Sequence, residues 1–382
     1  MIRLVGRVLA PEDRGVRCVV IDDGRVVDIA DAADAPSDAP GGPDFWILPG
    51  LVDIQLNGAF GVDFSDPDAD LLHAARSLPA TGVTAFLPTI VSSAPDVYAP
   101  CLAAHRAAVP AGAARILGTH VEGPFLAPER RGTHRVNALR APDVDELRRW
   151  LKAGSVRILT LAPELPGAME LIREASSRDV VVAIGHSDAT WVAADEAIAA
   201  GARLGTHLFN ATRPFHHRDP GIVGRLLAPG VAVSVIVDGV HVAPDGVRMV
   251  AGVKRPDELI FVTDGLAALG EPPGRYRLGG SEVISDGTAA RLADGTLSGS
   301  VIPMATGLGR LVAAGLDASV AVHAASTAPA RLLGLEDELG RIEVGRVADL
   351  VLVDPAWSPI ATIVGGRVGH APVRHQQAVG TQ

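Results

Sequence analysis

Six acidic, imidazole and amide side chains follow apolar runs of strand length, at the points where those runs end. They are Gln55 after GLVDI, Glu122 after ILGTHV, His186 after VVVAIG, His207 after ARLGT, His241 shortly after VAVSVIVDG and Asp264 after LIFVT. Two imidazoles and a carboxylate can hold a divalent metal and leave one coordination position open for water. A further carboxylate nearby can take up the proton of that water. The pattern therefore predicts a metal-dependent hydrolase.

Three of these side chains form the predicted metal site. Glu122 is followed by Gly-Pro, and His186 and His207 stand at successive ends of apolar runs, so the three side chains can converge on one point. A single glutamate there is more often a capping or salt-bridged residue, and a single histidine is more often a hydrogen-bonded structural residue. The combination favours a metal site. Asp264 alone would suit an Asx turn, but beside metal ligands we expect it to be the general base.

The remaining histidines serve as a comparison for this interpretation. Two of them lie in the loop sequence RPFHHRDPG, which predicts a position at the surface or at a pocket rim, and two others fit helix faces. None of the following six is expected to bind the metal: His73, His105, His120, His216, His217 and His323.

The composition limits the function classes. The 382 residues are 48% hydrophobic, with a mean hydropathy of +0.26, which allows a large buried core. The formal net charge of −10 argues against a nucleic acid or an anionic membrane as partner. An anionic substrate would therefore need a local cationic group in the binding pocket.

Cysteine content and hydropathy predict a cytoplasmic protein. Cys18 and Cys101 are the only cysteines and form no CxxC pair, which fits a reducing compartment. The N-terminal sequence MIRLVGRVLAPEDRG lacks the apolar stretch of a signal peptide. No run approaches the ~18 uninterrupted apolar residues of a membrane span.

Eight apolar runs of strand length recur from residue 49 onward and mostly alternate with alanine-rich helical patterns such as DATWVAADEAIAAG. The runs lie near residues 50–55, 83–88, 115–121, 156–161, 180–184, 202–206, 231–237 and 258–263. Buried continuous runs that alternate with helices indicate parallel strands. Eight such units predict an α/β protein with a (β/α)8 TIM-like barrel, whose active site lies at the C-terminal ends of the strands. A β-hairpin insertion is predicted near 275–300.

Both ends of the chain predict short strands outside the barrel. Residues 1–48 contain β-branched runs and an Asp-Gly hairpin turn. Residues 28–44 are mostly small or acidic and rich in proline and glycine, which predicts a loop. Residues 339–382 return to short strands, and the last ten or so are expected to fray. We expect the two ends to form one small β-sandwich domain beside the barrel, which spans 49–338.

A series of motifs resembles the N-acetylglucosamine-6-phosphate deacetylases of the amidohydrolase superfamily. In chain order they are PGLVDIQLNG, THVEGPF, GTH, LAPE, GHSDAT, THLFNA, RDPG, DGVH, VTDG, TLSGS and GRIEVGRVADLVLVD. The resemblance covers nearly the whole chain, and VEGPF, GHSDAT, HLFNA with RDPG, and DGVH are its most specific parts. It implies hydrolysis of the acetamide of N-acetylglucosamine 6-phosphate to glucosamine 6-phosphate and acetate, a step of amino-sugar catabolism.

The resemblance also implies roles for single residues. Glu122, His186 and His207 match the metal ligands. Asp264 matches the catalytic aspartate, which would act as general base on metal-bound water to give the hydroxide nucleophile and then as general acid toward the leaving sugar nitrogen. His134, in RRGTHR, matches a residue that contacts the substrate near its acetamide, where it would help to stabilise the oxyanion.

The implied substrate contacts extend along the chain. Together with His134, the predicted substrate-binding residues are Gln55, Asn210, Ala211, Arg218, His241, Leu297, Ser298, Gly299 and Ser300. Arg218 matches an arginine that reaches the phosphate of the substrate bound to the neighbouring subunit, which implies a homodimer. One arginine suits an acidic protein, because bidentate phosphate recognition does not need a positive net charge.

The implied cofactor is one divalent metal per subunit, with zinc favoured and iron(II) or cobalt(II) as alternatives. Many amidohydrolases carry His-x-His after the first strand, where this chain has Gln55 and Asn57. Neutral amides are poorer ligands than imidazole, so a second tightly held metal is not expected. A bridging carbamylated lysine is excluded, because Lys152 and Lys254 are the only lysines and lie away from the predicted strand ends.

Other functions are open from the sequence alone. N-acetylgalactosamine 6-phosphate is an alternative substrate, because it differs from the implied substrate at one stereocentre. Thr212 follows HLFNA where the family more often has methionine, and this difference affects the fine shape of the substrate site. A cyclic-amide hydrolase is disfavoured by the missing His-x-His, and a deaminase by VEGPF with HLFNA. A non-catalytic amidohydrolase-like scaffold is the least favoured function, because the metal ligands and the base are all present.

Overall fold

The computed structural model describes residues 1–10 and 12–371. The end of the chain that was expected to fray, residues 372–382, lies outside the described residues. Before the barrel the chain forms β1 (Ile2–Leu9), β2 (Asp13–Asp22), β3 (Arg25–Asp31) and β4 (Gly41–Pro49). The loop predicted over 28–44 is therefore shorter than expected. Its outer residues join the sheet, because Asp31 pairs with Arg17 and Gly41 pairs with Val5.

The predicted barrel is confirmed, with parallel strands near all eight apolar runs. The strands of this part are β5 (Leu51–Leu56), β6 (Gly58–Ala59), β7 (Val62–Asp63), β8 (Val83–Val91), β9 (Arg115–Ile116), β10 (Thr119–Glu122), β11 (Val156–Leu161), β12 (Val181–Ile184), β13 (Ala202–Gly205), β14 (Ala232–Ile236) and β15 (Leu259–Val262). The barrel order is β5, β8, β10 and then β11 to β15 in sequence, each strand pairing in parallel with the next. The short β9 pairs with β8, and β6 with β7.

The barrel closes where its first and last strands meet. The backbone nitrogen of Asp264 donates to the carbonyl of Gln55 over 3.0 Å, and the nitrogen of Asn57 donates to the carbonyl of Gly265 over 2.7 Å. Below these bonds, the hydroxyl of Thr263 donates to the buried carboxylate of Asp53. The two chain segments that end β5 and β15 are thus joined at the rim that carries the candidate site.

Helices fill most connections between the barrel strands. They are α1 (Leu71–Ser77), α2 (Pro95–Ala104), α3 (Val144–Ala153), α4 (Ala168–Ser176), α5 (Trp191–Ala200), α6 (Gly221–Leu227), α7 (Pro244–Val253), α8 (Met304–Ala313), α9 (Ala318–Ala325) and α10 (Thr327–Leu332). The carboxylate of Asp143 begins α3 by accepting from the nitrogens of Asp145 and Glu146, which satisfies free amides of the first turn. In the part of the chain that the structure describes, every helix is too short or too polar to span a bilayer.

Two buried layers hold the barrel together. Alternate strand residues such as Val52, Ala183 and Ile260 form one cluster, which fills the barrel interior in the way usual for this fold. The other strand residues pack against the helices in a larger cluster. There Trp150 of α3 stacks on Tyr98 of α2, with 4.7 Å between ring centroids. Because both faces of each strand are covered, the strands can be continuously apolar.

The insertion and the C-terminal strands complete the fold. The predicted hairpin insertion is present as β16 (Gly274–Leu278), β17 (Ser281–Ser285) and β18 (Ala290–Arg291). The last described strands are β19 (Leu350–Val353), β20 (Pro359–Val364) and β21 (Arg367–His370). They join the N-terminal strands in one sheet of order β21-β20-β19-β4-β1-β2-β3, so both chain ends form the small domain as predicted. The sheet curls around its own core, and its turns at Gly24 and Gly366 touch.

Candidate metal centre and active site

Three side chains converge at the C-terminal rim of the barrel. Nε2 of His186 lies 3.1 Å from Oε1 of Glu122, and Nε2 of His207 lies 3.0 Å from the same oxygen. The two Nε2 atoms are 3.0 Å apart. All three side chains are buried. The structure therefore brings the three predicted metal ligands together in one compact group.

The strand order explains this convergence. Glu122 is the last residue of β10, and His186 and His207 each stand two residues after the end of a strand, β12 and β13 respectively. Parallel strands of a barrel end at the same rim, so side chains at these positions point toward a common centre. His186 and His207 have φ values of +49° and +29°, in the left-handed region that residues with a Cβ rarely adopt. Such strained backbone is concentrated at functional sites.

The donor set fits a divalent cation. Four ligands placed tetrahedrally at about 2.0–2.1 Å from a metal are roughly 3.3 Å apart, close to the separations found here. Nδ1 of His186 donates to the carbonyl of Arg130 over 2.9 Å, so the Nε2 lone pair of that ring faces Glu122 and His207. A single proton cannot bridge three mutually adjacent acceptor atoms, whereas one cation can. The buried group therefore suggests a divalent metal.

The electrostatics of Glu122 agree with that assignment. Burial alone would raise its pKa, but the hydrogen bonds and charges of His186 and His207 outweigh burial and hold the pKa well below its usual range. For His207 the two effects have the opposite signs: burial lowers its pKa, but the hydrogen bond and the charge of Glu122 outweigh burial, so the pKa is raised overall. Glu122 is thus an ionised carboxylate, which is the form that binds a metal.

Asp264 lies next to this group, two residues after the end of β15. Its Oδ1 accepts a hydrogen bond from Nδ2 of Asn57 over 2.7 Å and one from Nε2 of Gln55 over 3.3 Å. The same Gln55 nitrogen also donates to Oε1 of Glu122 over 3.0 Å, so this amide bridges the two carboxylates. Burial, together with the negative charge of Glu122, raises the pKa of Asp264 to about 6. A carboxylate with such a pKa can accept and return a proton near neutral pH.

His134 is held as a neutral hydrogen-bond donor. The backbone nitrogen of Ser92 donates to its Nδ1 over 3.2 Å, and the Ser92 hydroxyl lies 2.8 Å from the same atom. The ring proton is therefore on Nε2, which lies 4.0 Å from Oε2 of Glu122. Burial, reinforced by His186, lowers the pKa of His134 to about 3. The ring consequently presents an uncharged N–H to the site.

A cavity of about 260 Å³ opens over these groups. Of the predicted site residues, those that line it are Glu122, His134, His186, His207, Asn210, Ala211, His241, Asp264, Leu297, Ser298 and Gly299. The buried hydroxyl of Ser298 has no hydrogen-bond partner among the described residues, so it is free to bind a ligand. Nδ1 of His241 contacts Oδ2 of Asp238 over 2.6 Å, which fixes that ring at the cavity edge.

Three predicted site residues lie outside the cavity wall. Gln55 stands behind the carboxylates, as described above. The backbone nitrogen of Ser300 donates to the carbonyl of Asp264 over 2.9 Å. Ser300 therefore anchors the loop 297–300 beside Asp264 without lining the cavity. Arg218 lies on an exposed loop, where Nη1 contacts His217.

Among the described residues, the group of possible ligands contains no further histidine and no lysine. The ring of His120 is held by other partners: Nδ1 lies 3.0 Å from the Ile54 carbonyl oxygen, and Nε2 lies 2.8 Å from the Thr160 hydroxyl. Lys152 lies within α3. Lys254 donates to the carbonyls of Leu226 and Ala228 at the end of α6, so neither lysine belongs to the ligand group in the described chain.

Sequence reasoning missed several residues of the site. The cavity is also lined by Asn57, Val91, Gly132, Thr133, Ile236, Leu278 and Thr296. Ser92 directly follows β8, so a polar residue after an apolar run was a usable signal there. Asp238 stands in the DGVH motif three residues before His241 and was passed over for the histidine. Leu278 comes from the hairpin insertion, whose contact with the barrel has no local signature.

Comparison with known proteins adds relatives over most of the chain. The model of the amidohydrolase family matches residues 46–370. An N-acetylglucosamine-6-phosphate deacetylase of Homo sapiens is 41% identical over 341 residues, covering 84% of this chain and 83% of the relative. One of Bacillus subtilis is 35% identical over 335 residues, with 85% of each chain covered.

Solved structures agree with these matches. A mutant N-acetyl-D-glucosamine-6-phosphate deacetylase from Mycobacterium smegmatis, in complex with N-acetyl-D-glucosamine-6-phosphate, superimposes with a TM-score of 0.89 and 35% identity. That match covers 96% of this chain and 99% of the other. The N-acetylglucosamine-6-phosphate deacetylase from Thermotoga maritima gives a TM-score of 0.84 at 29% identity, with 97% and 99% covered.

Proposed function

The chain belongs to the amidohydrolase family, and we propose that it hydrolyses the acetamide of N-acetylglucosamine 6-phosphate to glucosamine 6-phosphate and acetate. Membership of this family makes it a hydrolase of an amide bond. The observation that carries the choice of site is the triangle of Glu122, His186 and His207 beside Asp264 at the rim of the barrel. The choice of substrate is supported by relatives of that name over more than four fifths of the chain.

The three ligands would hold one divalent metal, for which we propose zinc, with iron(II) or cobalt(II) as alternatives. Such a metal supplies a Lewis acid that polarises the acetamide carbonyl and lowers the pKa of a water molecule. Two imidazoles and one carboxylate form a mixed nitrogen and oxygen donor set that suits all three ions. Gln55 and Asn57 direct their amide groups at carboxylates, which supports a single metal.

Asp264 moves the proton in this proposal. It takes a proton from the attacking water while the oxygen of that water bonds to the acetyl carbon. It then gives the proton to the sugar nitrogen as the carbon–nitrogen bond breaks, so acetate and the free amine leave. Hydrogen bonds from Gln55 and Asn57 orient the carboxylate for both steps. The raised pKa makes it a stronger base than a carboxylate in water.

His134 stabilises the charge that develops on the acetyl oxygen. Its Nε2–H is uncharged before the reaction, so it adds no net charge to a site that already carries a cation. A fixed donor of this kind acts on the transition state without reorganising. The backbone of Ser92 keeps the ring in this tautomer, which supports a catalytic role for His134.

The remaining wall of the cavity would position the sugar. His241, held by Asp238, would bind the sugar hydroxyls through its other ring nitrogen. Asn210 and the Ala211 backbone would contact the sugar or its phosphate. The loop of Leu297, Ser298, Gly299 and Ser300 would close the opposite side. A Cβ added at Gly299 would lie 2.3 Å from the carbonyl of Asp264, which supports a close approach of this loop to the reacting groups.

The phosphate would be bound by Arg218 of a second copy of the chain. Within the described chain, neither an arginine nor a lysine lines the cavity, although the substrate carries a dianionic group. Arg218 is exposed on a loop outside the cavity of its own subunit, which is the placement that a residue reaching into a neighbour requires. We therefore propose a homodimer in which each subunit completes the site of the other.

The proposal extends to organisation and location. We assign residues 49–338 to the catalytic barrel and residues 1–48 with 339–382 to the small domain. Cys18 and Cys101 are buried and unpaired, which supports a reducing, cytoplasmic environment.

Acetate release tests the function. Purified protein is stripped of metal, reloaded with zinc or iron(II), and assayed with N-acetylglucosamine 6-phosphate, unphosphorylated N-acetylglucosamine and the 6-phosphorylated galacto epimer. Equal amounts of acetate and free amine from the phosphorylated gluco substrate, in the reloaded protein alone, support the proposal. Faster turnover of the galacto epimer would reassign the substrate, and no acetate with any metal would refute the reaction.

A further inference from the structure

The turn that follows β12 carries His186 in an unfavourable backbone conformation. The φ of His186 is +49°, a region that residues with a Cβ avoid because of steric crowding. Such a conformation persists only where neighbouring groups hold it. The position of the His186 ring is therefore set by whatever fixes the residues directly after it, Ser187 and Asp188.

Glu164 makes two short contacts with these residues. Its Oε1 accepts from the backbone nitrogen of Asp188 over 2.6 Å, and its Oε2 accepts from the hydroxyl of Ser187 over 2.7 Å. The Ser187 oxygen in turn accepts from the nitrogen of Ala189 over 3.0 Å. Each carboxylate oxygen thus binds a different residue of the turn. Glu164 belongs to the LAPE motif after β11, for which the reaction itself requires no role.

The environment of Glu164 is unusual for a purely structural acid. Within residues 1–10 and 12–371, no arginine, lysine or histidine forms an ion pair with it; its polar partners come from the turn. Partial burial raises the pKa of Glu164, which means that its surroundings do not favour the charge. A half-buried carboxylate without a cation costs free energy unless its acceptor oxygens are used. Both oxygens are used here, and both bind the turn of His186.

Arg130 holds the same turn from the other side. Its carbonyl accepts the Nδ1 proton of His186, with 2.9 Å between the heavy atoms. Its guanidinium contacts Oδ1 of Asp188 through Nε at 2.8 Å and through Nη2 at 2.7 Å. Asp188 is therefore fixed twice, by its amide at Glu164 and by its carboxylate at Arg130.

We infer that Glu164 is a positioning residue for the metal centre: it holds the turn 186–188 so that Nε2 of His186 faces Glu122 and His207. This inference rests on the proposed metal site and goes beyond it, since Glu164 contacts neither the metal ligands' donor atoms nor the cavity. Partners that orient a ligand in this way typically change metal affinity or activity by about 10–100-fold when they are removed.

Cobalt(II) binding to the full chain tests the inference. Metal-free wild type, Glu164→Ala, Glu164→Gln and the control Glu170→Ala are titrated with cobalt(II) against a competing chelator, and the visible spectrum of each cobalt form is recorded. Glu170 is an exposed acid in the first turn of α4, six residues away. Glu164→Ala should bind cobalt(II) roughly 10–100-fold more weakly, with an altered spectrum. Glu164→Gln keeps one acceptor and the shape, so it should recover most of the affinity, and the control should match wild type.

The outcomes separate this inference from the proposed function. A wild-type protein that binds no cobalt(II) refutes the proposed metal site itself, whatever the variants do. If wild type binds and Glu164→Ala has the same affinity and spectrum, the positioning role is wrong, even where metal-free Glu164→Ala melts at a lower temperature. Should Glu164→Ala fail to fold, Glu164→Asp replaces it, because the shorter carboxylate cannot reach both partners. Unchanged cobalt(II) affinity in that variant overturns the inference equally.

Discussion

The side-chain amide of Asn57 donates a hydrogen bond to Oδ1 of Asp264, with 2.7 Å between the two atoms. Burial raises the pKa of this carboxyl to about 6, and the Asn57 hydrogen bond opposes that shift. A general base must be ionised, so its activity is present above its pKa and lost as the pH falls through it. A cation bound beside Asp264 would act in the same direction as the Asn57 hydrogen bond and lower this pKa. The acid limb of kcat/KM should therefore lie at or below about pH 6.

Replacing Asn57 should move this limb. Asn57→Ala removes a bond to the ionised form, so the pKa of Asp264 rises and the acid limb of kcat/KM shifts to higher pH. The check is a pH profile of both proteins between pH 4 and pH 8, at constant ionic strength and full metal loading. A limb that stays in place, or moves to lower pH, contradicts the assignment of Asp264 as the titrating base.

Replacing Asp264 should lower turnover without loss of the metal, whereas replacing a metal ligand should lose both. Asp264→Asn keeps the shape but loses the base, and kcat should fall by ~10²–10⁴-fold while the bound metal remains. Metal content by elemental analysis, measured beside turnover, distinguishes a lost base from a lost ion. Near-normal turnover in this variant would falsify the proposed base.

His186→Ala and His207→Ala should instead lose metal together with activity. Each removes one of three ligands, and the remaining two cannot hold the ion against dilution. The measurement is metal per chain after gel filtration, with His73→Ala on the exposed face of α1 as the matched control. A full complement of metal in either variant would show that the replaced histidine is not a metal ligand.

His134→Phe should lower kcat with little change in KM. The ring volume is similar, but the N–H that faces the acetyl oxygen is lost, and removal of one such donor typically costs about 10²–10³-fold in kcat. Steady-state kinetics at saturating metal give both constants. A rise in KM at constant kcat would make His134 a binding residue and remove its proposed part in the chemistry.

Arg218→Ala should raise KM for the phosphorylated sugar and leave KM for the unphosphorylated sugar unchanged. Arg76→Ala, an exposed arginine on α1, is the matched control and should change neither constant. An equal rise for both sugars would mean that the loop was damaged and that the phosphate role is unsupported.

Mixing two impaired variants, assayed at a substrate concentration far below KM, tests whether Arg218 crosses between subunits. In a mixed dimer of Arg218→Ala and Asp264→Asn, the site with an intact Asp264 would receive an intact Arg218 from its partner. An equimolar, exchanged mixture should then regain roughly a quarter of wild-type activity, since half of the dimers are mixed and each has one complete site. Absence of recovery in dimers shown to exchange would place Arg218 in its own subunit's site.

The order of strands and the metal group were predictable from sequence for the same reason. Buried parallel strands need apolar side chains on both faces, so a polar residue such as Glu122 or His207 marks the point where a strand ends. Parallel strands of a barrel all end at one rim, which brings those residues together although they are far apart in the chain. The small domain followed from β-branched runs at both ends.

Other parts of the site could not be inferred in this way. The tautomer of His134 depends on the backbone nitrogen of Ser92, and a backbone group leaves no trace in residue type. Leu278 reaches the cavity from an inserted hairpin whose packing is decided by distant contacts. The extent of β3 and β4 was underestimated, because pairing with β2 and β1 overrode the local turn preference of 28–44.

The contact between the ends of β5 and β15 has a consequence for the order in which the site is completed during synthesis. Gln55 and Asp264 are 209 positions apart in the chain and meet only when the first and last barrel strands close. A nascent polypeptide that has left the ribosome up to the end of β14 contains Glu122, His186 and His207 but not Asp264, the proposed proton carrier. Under the proposed mechanism, competence to cut the amide therefore arises only after β15 has been made and has closed the barrel against β5.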